Sequence, residues 1–181
     1  MATQSGGGEG GTSILVPSTP LYNLRDVSPD QQGGGYDETY DSYFLAAAKE
    51  FRVPFALIKA HAIQESSLNP NSFVNENPNS DPSRAGWASR GLCQILWWYG
   101  SNRLARYGYT DEQIGITGGI LFDPQANTRI AAQIIATNLN ACGGNLRDAI
   151  NMYNTGKKES DYEAPNGYVD KVFNYYQEIL G

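Results

Sequence analysis

The stretch that decides the fold is residues 54–70, with the sequence PFALIKAHAIQESSLNP. Proline is favoured at the start of a helix, and the apolar run behind Pro54 predicts a helix that the rest of the chain covers. A helix does not continue easily into Asn-Pro, so we expect this one to end near Ser67. Its single acidic residue, Glu65, then lies at its carboxyl end.

Glu65 shares its helix face with Ile58 and His61, which precede it by seven and four residues. A carboxyl held against apolar groups keeps its proton to higher pH, because burial disfavours the charged form. An acid catalyst of glycosidic-bond cleavage needs that property near neutral pH. From the helix alone, the alternative interpretation is a solvated glutamate at a helix end.

Four other segments predict helices, so we predict a mainly α fold. Apolar residues at helical spacing indicate a helix over residues 37–51. Asp123, followed by proline, and Asn145 are N-cap residues of two more helices, and the second ends at Gly156. A last amphipathic helix covers residues 168–180.

The region between these helices predicts little or no sheet. Residues 69–90 are rich in Asn, Pro, Ser and Asp, which is typical of a long surface loop. Residues 91–98 are apolar and fit either a short strand or the start of a helix.

We expect two parts in the chain, a Gly/Pro-rich N-terminal arm over residues 1–36 and a catalytic domain over residues 37–181. The arm cannot bury enough apolar surface to fold alone, although Ile14-Leu15-Val16 could dock on a partner. Its start has neither the basic segment nor the apolar run of a secretory signal, so none is expected.

Composition excludes two classes of partner. The formal net charge is −6 and no basic run is present, which argues against nucleic-acid binding. No stretch approaches the ~18 consecutive apolar residues of a membrane span.

The two cysteines, Cys93 and Cys142, are expected to be buried free thiols.

Three later segments change the interpretation of Glu65: SRGLCQI at residues 89–95, AINMYNTG at 149–156 and NGYVDKV at 166–172. Together with the helix that ends in Glu-Ser, they resemble the soluble lytic transglycosylase family, relatives of goose-type lysozyme. That family has an apolar helix ending in Glu-Ser, then Gly-Leu-Met-Gln, Ala-Tyr-Asn-Ala-Gly and a Tyr-Val segment. The order agrees over residues 40–180, so the resemblance implies one lysozyme-like domain.

The resemblance implies a role for each matching residue. Glu65 falls on the catalytic acid/base, and Tyr153 would hydrogen-bond its carboxyl. Four further residues would bind the substrate or support the site: Ser66, Gln94, Asn154 and Tyr168.

The implied reaction is cleavage of peptidoglycan between N-acetylmuramic acid and N-acetylglucosamine. Glu65 protonates the bridging oxygen, the N-acetyl group of the muramic acid stabilises the positive centre, and the C6 hydroxyl closes onto C1. The product is a 1,6-anhydro sugar, and neither a metal nor a cofactor is implied.

Several positions depart from the family pattern. Cys93 replaces the usual methionine, and Leu96-Trp97-Trp98 follows the glutamine where a proline turn is common. The loop after Glu65 is long and carries Glu76 and Asp81. A second carboxylate ~6.5–9.5 Å from the first could activate water, which would make the enzyme an inverting hydrolase, a true lysozyme.

Three tryptophans bracket the Gln94 motif, at positions 87, 97 and 98. An aromatic face is a natural platform for a sugar ring, and we expect at least one of the three to be part of the core instead.

Two other functions compete with the glycan-cleaving one. His61 with Cys93 or Cys142 could form the nucleophile and base of a cysteine peptidase, although the single histidine lies on an apolar helix face. A lysozyme-like fold could also serve as a non-catalytic structural subunit of a phage tail.

The arm and the absence of a signal favour a bacteriophage protein. We expect it in the virion, tail-associated through residues 1–36 and acting in the periplasm or cell wall, or as an endolysin in the host cytoplasm before release. A processed bacterial enzyme is the alternative.

Overall fold

The computed structural model describes residues 36–76 and 87–181, and the predictions for residues 1–35 and for Asp81 lie outside them. Six α-helices occur in the described residues: α1 Asp41–Phe51, α2 Phe55–Ser66, α3 Asp111–Ile114, α4 Pro124–Ala141, α5 Leu146–Thr155 and α6 Tyr168–Leu180. Three short strands complete the fold: β1 Phe73–Asn75, β2 Ala88–Arg90 and β3 Ile95–Trp97. The predicted mainly helical fold with little sheet is confirmed.

Helix α2 is the centre of the core. Its first nine residues, Phe55–Ile63, are all buried, because α6, α1 and α4 pack around it. Even its lysine is covered: Lys59 Nζ forms a salt bridge with Asp41 of α1 at 2.8 Å. A helix that is buried on every side fixes the position of the residue at its end.

The predicted helix caps are present. The Asp123 side chain accepts a hydrogen bond from the Ala126 amide at 2.8 Å, and the Asn145 side chain accepts one from the Asp148 amide at 3.3 Å. Gly156 ends α5 in the left-handed conformation, with φ of 74°.

The predicted start of α1 was four residues too early. Asp37 Oδ1 accepts hydrogen bonds from the backbone amide and the hydroxyl of Thr39, at 2.8 and 2.5 Å. This side-chain turn competes with helix formation, so regular helix begins only at Asp41.

The prediction of a continuous loop over residues 69–90 was wrong at both of its ends. Strands β1, β2 and β3 form an antiparallel sheet in that order, with Asn75 opposite Ala88 and Ala88 opposite Trp97. Residues 95–97 are therefore strand rather than the start of a helix. Strands of three residues are too short to show alternation, and this explains the error.

Asn127 joins the sheet to the helices. Its buried side chain accepts from the Cys93 amide and donates to the carbonyls of Arg90 and Leu121, each at 2.8 Å. Gly91 makes this approach possible, since a Cβ at that position would lie 2.1 Å from the Leu121 carbonyl oxygen.

Replacement of Asn127 by Ala should lower the free energy of unfolding by about 3 kcal/mol, because three buried backbone groups lose their partner. Chemical denaturation would measure the loss. Asn140→Ala, on an exposed position of the same helix, is the control and should change stability by less than about 0.5 kcal/mol. Equal stability of the two variants would contradict the role given to Asn127.

Candidate active site

A groove of about 770 Å³ runs along one side of the molecule between the sheet and the helices α4 and α5. Four of the residues singled out from the sequence line it: Glu65, Gln94, Tyr153 and Asn154. Glu76 lines it as well. Ile134, Thr137 and Asn138 of α4 also form its wall. Helical spacing marked Ile134 only as a core residue of its helix, and no sequence pattern marked Thr137 or Asn138.

Glu65 is held at the end of α2 with most of its carboxyl covered. Burial raises its pKa from 4.5 to about 7, against the opposing effect of a hydrogen bond from the Tyr168 hydroxyl to Oε1 at 2.5 Å. Near neutral pH the carboxyl therefore holds its proton in a large fraction of molecules. This is the environment that the apolar helix face predicted.

His61 contacts the Tyr168 hydroxyl, so that His61, Tyr168 and Glu65 form a chain of three polar groups. Its Nδ1 lies 3.1 Å from the Tyr168 hydroxyl, and burial lowers its pKa to about 3, so the ring is neutral. When Glu65 is ionised, Tyr168 donates its only proton to the carboxylate, so Nδ1 of the neutral ring must carry the hydrogen and donate to the Tyr168 hydroxyl. Nε2 has no hydrogen-bond partner within the described residues. The tautomer of His61 thereby orients the Tyr168 hydroxyl toward Glu65.

Glu76 brings a second carboxylate into the groove. It follows β1, its amide donates to the Trp87 carbonyl, and its Oε1 accepts a hydrogen bond from the Ser89 hydroxyl at 2.6 Å. Its negative charge adds to the effect of burial in raising the pKa of Glu65. The other loop acid, Asp81, is outside the described residues.

The hydrogen bond predicted between Tyr153 and Glu65 was wrong. Tyr153 donates its hydroxyl to the Cys93 carbonyl at 2.8 Å, and its ring packs on His61 with centroids 4.3 Å apart. Tyr168 makes the bond to Glu65 instead, because α6 packs on α2 and brings its first residue to the carboxyl.

The other predicted residues occupy different positions. Ser66 donates to the Leu92 carbonyl at 2.7 Å and so ties α2 to the segment before β3, rather than orienting the Glu65 carboxyl. Gln94 lies in the left-handed region, with φ of 46°, and its Nε2 donates to the carbonyls of Ser72 and Gly91. Its buried Oε1 has no partner in the described part of the chain. Asn154 lines the groove with an exposed side chain.

The cysteines do not form a nucleophile–base pair with His61. Both are free thiols, as predicted, although Cys142 is only partly buried. Burial raises the pKa of the Cys93 thiol far above its usual range, whereas a nucleophilic cysteine needs a lowered one. Within residues 36–76 and 87–181, no group of three or more His, Cys, Asp or Glu side chains could hold a metal ion.

Of the tryptophans, Trp97 is part of the core. It is fully buried and donates to Asp111 at 2.9 Å, while Trp87 and Trp98 pack on each other with ring centroids 5.4 Å apart.

No helix among the described residues combines the length and apolarity that crossing a membrane requires.

Comparison with known proteins decides the family. Residues 42–164 match the model of the transglycosylase SLT domain, which is more than half of the chain. The chain belongs to this family. The resemblance that the four sequence motifs indicated is therefore confirmed at the level of the family, which degrades peptidoglycan.

The relatives of this SLT-domain chain include invasion protein IagB of Salmonella typhimurium strain SL1344, 25% identical over 138 residues that cover 76% of this chain and 77% of the relative. IagB of Salmonella typhi is 25% identical over 136 residues, 75% of this chain and 76% of the relative. Both matches thus span most of each protein.

Two solved structures share the fold. The 70 kDa soluble lytic transglycosylase Slt70 of Escherichia coli superposes with a TM-score of 0.60 and 20% identity, covering 80% of this chain and 24% of that enzyme. Lytic transglycosylase Slt of Pseudomonas aeruginosa gives a TM-score of 0.54 and 14% identity, covering 80% and 23%. This chain therefore spans about a quarter of the length of either enzyme.

The Tyr168→Phe and Glu76→Gln variants should move the pKa of Glu65 in opposite directions. Loss of the Tyr168 hydrogen bond removes a group that lowers this pKa, so it should rise; loss of the Glu76 charge should lower it, each by about 1 pH unit. Carbon-13 NMR titration of the Glu65 carboxyl would measure both.

Glu112→Gln and Tyr43→Phe are the matched controls, because both side chains are exposed and neither lines the groove. They should leave the pKa of Glu65 unchanged. Shifts of the same sign in the Tyr168 and Glu76 variants would contradict the electrostatic description of the site.

Proposed function

We propose that the protein cleaves the β-1,4 bond between N-acetylmuramic acid and N-acetylglucosamine and leaves a 1,6-anhydro end. The observation that carries this proposal is Glu65, a carboxyl with a pKa of about 7 that lines a groove of about 770 Å³. The SLT family supports a peptidoglycan-cleaving transglycosylase, and the anhydro product is the finer step proposed here.

In the first half of the reaction, Glu65 acts as an acid. Its proton passes to the bridging oxygen as the bond from that oxygen to C1 breaks, and the N-acetyl oxygen of the muramic acid bonds to C1. The carboxylate left behind accepts the hydrogen bond of Tyr168, which stabilises its charge at this stage.

In the second half, the Glu65 carboxylate acts as a base. It takes the proton of the C6 hydroxyl, whose oxygen bonds to C1 while the N-acetyl oxygen leaves. Glu65 is then protonated again, and no water is consumed.

Substrate binding is assigned to groups along the same groove. Gln94 Oε1 is a buried acceptor with no partner among the described residues, and it suits an N–H or O–H donor of a sugar. Tyr153 and Asn154 line the helical wall, and Tyr168 acts through Glu65.

A true lysozyme is the second candidate, since Glu76 could activate water from its place in the groove. The carboxylate of Glu76 is bound to Ser89, and the family match favours the transglycosylase. The retention of Glu65 in a polar groove argues against the non-catalytic structural subunit.

Glu65→Gln should abolish cleavage of purified peptidoglycan, reducing the rate at least about 1,000-fold, because the amide has no proton to donate. Mass spectrometry of the released muropeptides should show 1,6-anhydro ends with the wild type only. Reducing ends would indicate a hydrolase, and equal activity of wild type and variant would refute the assignment of Glu65. Glu112→Gln is the control and should match the wild type.

The rate should fall as pH rises through about 7. Glu65 must be protonated to act, and its protonated fraction decreases tenfold per pH unit above its pKa. A pH profile of kcat/KM would measure this limb. An alkaline limb near pH 4.5, the ordinary value for glutamate, would contradict the proposed environment of Glu65.

The setting of the reaction has two candidates. The arm over residues 1–36 favours a phage protein bound to the tail or baseplate, in the virion or as an endolysin, whereas the similarity to Salmonella invasion proteins favours a bacterial wall enzyme. Detection of the protein in purified phage particles would support the first setting, and detection in the envelope of uninfected cells the second.

A further inference from the structure

Two arginines share one stretch of the groove wall. Arg103 and Arg106 both line the groove that holds Glu65. They lie on a tight turn in which the Ala105 amide bonds the Asn102 carbonyl and the Gly108 amide bonds the Ala105 carbonyl, at 3.1 and 2.9 Å. In such i to i+3 turns, side chains three residues apart stand on the same side.

Both arginine side chains are largely exposed at the groove wall. Partial burial, and then the charge of Arg106, lower the pKa of Arg103, so the two like charges interact. Arg106 packs over the ring of Tyr107, 4.8 Å from its centroid, which holds it beside the groove. Two like charges side by side are stabilised when an anion lies between them.

No acidic side chain supplies that anion in the part of the chain that the structure describes. The salt bridges there join Lys59 to Asp41, Arg129 to Glu50, and Arg147 to both Glu159 and Asp170. The chain as a whole is acidic, with a net charge of −6. A pair of arginines left without a carboxylate inside a substrate groove therefore points to a charge on the substrate.

We propose that Arg103 and Arg106 form a binding subsite for a carboxylate of the peptide stem that peptidoglycan carries on its muramic acid. The inference rests on the proposed function for its substrate. The forked donors of arginine match the two oxygens of a carboxylate. Strands stripped of their stems keep only the lactyl carboxylate, which lies next to the sugar ring. A pair that binds a carboxylate further out on the stem would therefore distinguish peptide-bearing from bare strands.

The test compares the two kinds of strand by equilibrium binding. Peptidoglycan fragments with intact stems, and the same fragments stripped of stems by an amidase, are bound to the Glu65→Gln protein, which should not cleave them. Dissociation constants are then measured with and without the added changes Arg103→Gln and Arg106→Gln. The preference for stem-bearing fragments should fall about tenfold in the arginine variant and should weaken with added salt.

Lys49→Gln with Lys171→Gln is the matched control, since it changes the net charge equally at two exposed positions outside the groove. It should keep the preference. The double variant Arg103→Lys with Arg106→Lys keeps both positive charges but lacks the forked guanidinium donors. Its preference for stem-bearing fragments should lie between those of the wild-type and Gln side chains, and such a graded loss is not expected from misfolding.

An unchanged preference in the Gln variant overturns the inference, and so does an equal loss of affinity for both kinds of fragment. Neither result affects the proposed function, because cleavage by the wild-type protein is assayed separately. Conversely, a wild type that binds stems through the arginines but releases no muropeptides would refute the reaction and leave the subsite standing.

Discussion

The burial of the Glu65 carboxyl is the constraint on which the rest of the site depends. Residues Phe55–Ile63 of helix α2 are buried, so most of the carboxyl at the end of the helix contacts protein, and its pKa rises to about 7. The folded protein thus keeps a proton that the unfolded chain releases near pH 4.5. Folding stability therefore decreases as pH rises through that interval, and activity and stability place opposite demands on this carboxyl.

The groups around Glu65 divide the control of its charge between them. Burial and Glu76 favour the neutral acid that starts the proposed reaction, whereas Tyr168 favours the carboxylate that finishes it. Each comes from a different element: Glu76 from the end of β1, and Tyr168 from the start of α6. Asn127 holds the sheet against the helices, so the acidic side of the groove is fixed relative to Glu65.

Much of the fold was predictable because its signals are local. Asp123 and Asn145 mark helix starts through bonds to amides three residues away, and Gly156 marks an end through its own backbone conformation. The four motifs, taken in order, were enough to indicate the family. The pairing of β1 with β2 was not predicted because three-residue strands show no periodicity, and this pairing joins residues 13 or more positions apart in the sequence.

The sequence by itself determined the apolar helix that ends in Glu65, the capped helices around it and the family of the chain. Tertiary structure alone decided which tyrosine reaches the carboxyl, that His61 contacts the hydroxyl of that tyrosine, and that Glu76, Arg103 and Arg106 line the same groove as Glu65. The reason is physical: capping and periodicity act over a few residues. Contacts such as the one between Glu65 and Tyr168, 103 residues apart, depend on how whole helices pack.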